Sequence, residues 1–141
     1  MKNKRSGYQE FGDHRFSLKG FHHSNPERAG SFPTSGAFLL ADDPRLFDHG
    51  FFTMTPLEVA TMDPSQRKLL EVVYEAFENA GETWESFSGS QTGVYVGNFG
   101  LDHLIVQNRD PDHVRPYATT GGGNTILSNR LSYVFNLLGP R

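Results

Sequence analysis

Apolar residues recur at a helical interval over residues 62–81, where Leu69, Val73, Ala76, Phe77 and Ala80 fall at i, i+4, i+7, i+8 and i+11. Glu71, Glu75 and Glu78 mark the opposite, solvated face. Asp63 suits the N-cap, Pro64 the first helical position and Gln66 the far corner of a capping box. Gly81 supplies the left-handed residue that ends such a helix. This segment is expected to be the longest or second-longest helix of the chain, with Phe77 buried.

The pattern elsewhere is more broken. Thr55-Pro56-Leu57-Glu58 is a second capping box and predicts a short helix ending before Met62. Trp84, Phe87 and the Gly/Ser cluster 88–90 predict a packed turn. Residues 92–98, Thr-Gly-Val-Tyr-Val-Gly-Asn, are β-branched and aromatic with little polar alternation, which predicts a strand buried on both faces of a layered α/β fold. Leu101, Leu104, Ile105 and Asn108 trace a short helix, stopped by Asp110-Pro111.

Gly121-Gly122-Gly123 then reads as a loop before a helix from about Thr125 to Leu138. One stripe of that helix is Leu127, Leu131, Val134 and Leu138. A second is Thr125, Ser128, Asn129, Ser132 and Asn136, small and uncharged, a face suited to a protein surface rather than to bulk water. Upstream, Gly36–Leu40 predicts a short strand, and Asp43-Pro44 a turn of helix with Leu46 and Phe47 inward. Residues 1–35 show neither period; Tyr8, Phe11, Phe16, Phe21 and Phe32 read as aromatic anchors on an irregular arm.

Thirteen basic and sixteen acidic residues leave a net charge of −3, too balanced to point to nucleic acid or an anionic membrane as partner. Lys2, Lys4 and Arg5 read as a solvated end. No apolar run approaches the ~20 residues of a membrane span, and none follows the basic start, so a cytoplasmic location is expected. With 141 residues the chain fits one domain, and with zero cysteines it has no disulfide, thiolate metal site or thiol nucleophile of its own.

The remaining candidate chemistry is thin. His22 and His23 are adjacent and so do not share a face, and no well-spaced carboxylate joins them into a metal site. Asp42, Asp43 and Asp48 could form a metal or acid–base cluster, but two of them flank Pro44 at a helix start, where capping is the expected use. The 121–123 glycines lack the Gly-Lys-Ser/Thr of a phosphate-binding loop. Neither Gly-x-Ser-x-Gly nor His-Glu-x-x-His occurs. No catalytic, cofactor-binding or metal-ligating residue is assigned.

Residues 62–71, Met-Asp-Pro-Ser-Gln-Arg-Lys-Leu-Leu-Glu, resemble the Met-Asp-Pro-x-Gln-Arg-x-Leu-Leu-Glu helix of β-ketoacyl synthase (ketosynthase) domains in multidomain polyketide synthases. Thr92-Gly93-Val94 and Val96-Gly97 resemble that family's Thr-Gly-Val-x-Val-Gly strand. Asn129, Arg130, Ser132, Tyr133, Phe135, Gly139 and Pro140 match its Asn-Arg-x-Ser-Tyr-x-Phe-x-Leu-x-Gly-Pro segment, while Thr120 and Asn124 depart from the loop before it. The blocks around Phe38, Phe47 and Phe51-Phe52 and around Asn25-Pro26-Glu27-Arg28 are similar too, with departures at His14 and Phe21.

The resemblance implies part of a thiolase-like α/β fold: an arm over 1–35, and over 36–141 a partial N-terminal domain without its opening strand and nucleophile-bearing segment. It implies an acyltransferase family that condenses an acyl thioester with a malonyl extender by decarboxylation, using a Cys nucleophile and two His residues. None of His14, His22, His23, His49, His103 and His113 matches that pair, so the chain alone is expected to be inactive. The implied partners are the rest of the synthase or a second ketosynthase chain. An acyl carrier protein bearing phosphopantetheine-linked substrates joins only in the complete enzyme, and no cofactor is bound directly. The other reading is a non-catalytic module that binds a full ketosynthase.

Overall fold

The computed structural model describes residues 6–12, 17–38, 43–110, 112 and 115–141. Lys2, Lys4, Arg5, His14, Arg15, Phe16, Leu39, Leu40, Asp42, Pro111 and His113 therefore lie outside the described residues. The chain divides into two compact units, Met1–Asp43 and Pro44–Arg141.

In the first unit, β1 (Tyr8–Glu10) pairs antiparallel with β2 (Gly36–Phe38), Tyr8 opposite Phe38 and Glu10 opposite Gly36. A Cβ on Gly36 would sit 2.3 Å from the Gln9 carbonyl oxygen, so only glycine permits this register. Between the strands lies the four-residue helix α1 (Leu18–Phe21), followed by a parallel bridge from His22 to Phe32. Phe32 holds the loop together: Phe21 stacks on it at 6.4 Å and Phe11 meets it edge-on at 6.0 Å. The sequence showed no period here because elements of three and four residues are too short to display one.

The second unit is helical: α2 (Pro56–Thr61), α3 (Pro64–Asn79), α4 (Trp84–Phe87), α5 (Asp102–Gln107), α6 (Ala118–Gly122) and α7 (Ile126–Val134). Helix α3, with 16 residues, is the longest of these. Asp63 caps it, its Oδ1 accepting from the Ser65 amide and hydroxyl at 2.7 Å each. It ends in a Schellman motif: Gly81 at φ +81° donates to Glu78, and Glu82 to Phe77. Thr55 caps α2 by accepting from the Glu58 amide.

The core of this unit gathers on Phe135, which is fully buried among Phe52, Phe77, Trp84 and Phe87 at centroid distances of 5.2–6.2 Å. Met62, Leu70, Leu131 and Leu137 close it.

Several expectations are corrected. Residues 92–98 form no strand: Val94 and Val96 are only half-buried and Tyr95 is 81% exposed. A strand exists through its ladder, and the backbone contact of 89–94 with 136–140 supplies only scattered bonds, the last of them from Val94 to the Pro140 carbonyl. Gly121 and Gly122 of the expected loop lie instead in α6, which Tyr117 opens in the left-handed region at φ +67° and the extended Gly123 ends. Helix α7 stops at Val134, four residues short of Leu138, because Asn136 turns to φ +52°. Asp43-Pro44 opens a turn and no helix, with Phe47 packed inward and Leu46 exposed. Phe77 is half-buried.

Candidate functional site

Two places in the second unit combine specific chemistry with shape. The first is a polar junction where α2, α3, α5, α6 and α7 meet. Gln66 was read as a capping-box partner, but its side chain leaves α3 altogether. It is 2% exposed and donates from Nε2 to the Gly121 carbonyl at 2.8 Å and to the Thr120 carbonyl at 3.2 Å. The Asp63 amide donates to the same Gly121 carbonyl at 2.8 Å. The first turn of α3 is thus tied to the last turn of α6.

Close packing makes that tie possible. A Cβ on Gly121 would fall 2.3 Å from the Thr61 carbonyl oxygen and 2.8 Å from its carbon. The Thr61 carbonyl also receives Gln107 Nε2 at 2.7 Å, fastening α5 to the end of α2. His103 Nε2 lies 2.8 Å from the same Gln107 amide nitrogen. His103 Nε2 also lies 3.2 Å from the Thr61 carbonyl, so the imidazole, the Gln107 amide and that carbonyl form one polar cluster.

Arg130 completes the junction from α7. Its Nη1 donates to Glu58 Oε1 at 2.6 Å and its Nη2 to the Thr120 carbonyl at 3.3 Å. The guanidinium side chain is 8% exposed, so this ion pair acts in a low-dielectric setting and fixes the register of α7 on α2 and α6. On α3, burial pulls the Arg67 guanidinium below its ordinary value, and the charges of Asp63 and Glu71 oppose that shift.

The second place is an apolar groove of about 450 Å³ between α3 and the segment 92–97. Leu69, Val73 and Phe77 form one wall, residues 92–97 the other, and Leu131 and Leu137 the floor; none of the lining residues is charged. The 92–97 segment is held at its start. Gly89 donates to the Asn136 carbonyl, Leu138 to Ser90, and Val94 to Pro140, at 2.7–2.9 Å. Both stretches advance in the same chain direction along these bonds. A Cβ on Gly139 would meet Gln91 and Thr92 backbone atoms at 2.5 Å, so the two backbones touch there.

A further cavity of about 420 Å³ is bordered by Asp63, Ser65, Asn98, Asp102 and His103. Its acidic lip is partly engaged, since Asp63 already caps α3.

Neither the junction nor the groove has a nucleophile beside a base. His22 Nε2 donates to the Pro33 carbonyl, His23 Nδ1 accepts from the Asn25 amide, and His49 Nδ1 donates to the Met54 carbonyl. Each of these rings is engaged with backbone close in sequence. Among the described residues no group of three His, Cys, Asp or Glu side chains could hold a metal ion. Asp48 accepts from the Phe51 amide, a turn-capping use. The sequence offers Arg130 only as a motif member, and Gln66 as a motif member and capping-box partner. A Gln at helical spacing from Met62, Leu69 and Leu70, and a lone Arg at helical spacing from Ile126, Leu127 and Val134, are the signals available.

The family model for the β-ketoacyl synthase N-terminal domain matches residues 1–141. Prosolanapyrone synthase of Alternaria solani is 72% identical over 140 residues, which are 99% of this chain and 5% of that protein. The highly reducing polyketide synthase xilA of Penicillium rubens is 54% identical over 140 residues, again 99% of this chain and 6% of the relative. Among solved structures, the ketosynthase from module 6 of the bacillaene synthase of Bacillus subtilis 168 superposes with a TM-score of 0.75 at 26% identity, covering 98% of this chain and 21% of that one. The oxazolomycin ketosynthase domain OzmH KS7 of Streptomyces albus JA3453 gives 0.71 at 25%, covering 98% and 24%. The fold is that of thiolase-like ketosynthase domains, and the chain spans a small part of each relative.

Proposed function

This chain belongs to the β-ketoacyl synthase family, within its N-terminal domain, and from that premise we propose that it works as one part of a ketosynthase domain in a highly reducing polyketide synthase. The observation that carries the reading is the match of the family model over all of residues 1–141, alongside a relative that is 72% identical and of whose length this chain covers 5%.

In that role the complete domain condenses a chain held as an acyl thioester with a malonyl unit, both delivered on the phosphopantetheine arm of a carrier protein. Loss of carbon dioxide from the malonyl unit leaves a carbanion that attacks the thioester carbonyl and displaces the thiolate. The Cys that holds the acyl group and the His pair that assists are assigned to the remainder of the domain, since this chain has no cysteine. What this chain contributes is scaffold. The Gln66–Arg130–Glu58 junction sets α3, α6 and α7 in fixed register, and the uncharged groove offers the face on which the rest of the synthase packs. No helix among the described residues is long and apolar enough to cross a membrane.

A chimera tests the proposal. Residues 1–141 replace the matching stretch of prosolanapyrone synthase, and ketoacyl product is measured from acyl and malonyl carrier protein. Retained condensation by the chimera, with none from the isolated chain, is the expected result. A folded but inactive chimera, or carbon dioxide release from malonyl carrier protein by the isolated chain, overturns it.

A further inference from the structure

We draw no further inference here: the strongest candidate, the uncharged groove between α3 and residues 92–97 lined by Leu69, Val73, Phe77, Val94 and Leu131, is an unpartnered apolar face, and nothing in the structure shows what covers it apart from the ketosynthase-domain reading already proposed.

Discussion

The last two turns of α3 carry more apolar residues than its first two, yet only the first two bury side chains fully. At the start, Gln66 and Leu70 are buried, and the turn is capped by Asp63 and tied to α6. Toward the end, Val73 and Phe77 are half-buried while Ala76 and Ala80 are exposed. The difference comes from neighbours and not from the helix. The first half meets α6, which glycine lets approach within van der Waals range of α2. The second half borders the open groove. Periodicity tells which face of a helix is apolar; it does not tell whether the same chain covers that face.

The contrast can be broken most forcefully in the aromatic core. Phe135→Ala removes a fully buried ring with four aromatic neighbours, and a loss of about 3–5 kcal/mol is expected in urea unfolding. Phe77→Ala, on the open half of α3, should cost less, about 1–2 kcal/mol, because only part of its surface leaves water. Equal losses would show that the groove is closed in solution.

Gly121→Ala tests the closed half directly. The added methyl meets two backbone atoms of Thr61 within 2.8 Å, and backbone cannot rotate away as a side-chain tip can. A loss of about 1–3 kcal/mol is expected, against the ~1 kcal/mol that the same change gains in a free helix interior. Unchanged or raised stability would mean that α6 does not pack on α2 as described.

Much of this was legible in the sequence, and the misses share a cause. Asp63, Pro64 and Gly81 announced α3 correctly because caps and terminators act through backbone a few residues away. Thr55 did the same for α2. Thr92–Asn98 failed as a strand because β structure is completed by partners distant in sequence, and the pattern alone cannot supply them. Gly121 and Gly122 failed as loop residues because tight helix packing also selects glycine. Gln66 satisfied the capping-box spacing, but the Asp63 amide it would accept from donates to the Gly121 carbonyl, and Gln66 Nε2 donates to the Thr120 and Gly121 carbonyls instead. The junction as a site was not legible, since Glu58 and Arg130 are 72 positions apart.

Asp63→Ala bears on the same half at smaller scale. It removes the acceptor of the Ser65 amide and hydroxyl, and the expected loss is about 1 kcal/mol. Asp63→Asn should recover most of it, because the amide oxygen accepts the same bond. A deficit that Asn does not recover would assign the effect to charge at the α3 N-terminus instead of capping.

The smallest effect is the most informative about the open half. Tyr95 lines the groove but is 81% exposed, so Tyr95→Lys should change the stability of the 141-residue chain by no more than about 0.5 kcal/mol. Its sequence setting, between Val94 and Val96 in a β-branched run bounded by glycine, is that of an interior strand. Once the rest of a ketosynthase domain covers the groove, the same Lys must be desolvated or expel its cover, at a cost of several kcal/mol. The matching substitution in the chimera should therefore unfold or inactivate it, while the short chain tolerates the change. Urea melts of both, run side by side, give the comparison. Tolerance in both contexts would leave the groove open in the complete domain, and a large loss in the short chain would mean that 92–97 already pairs with something here.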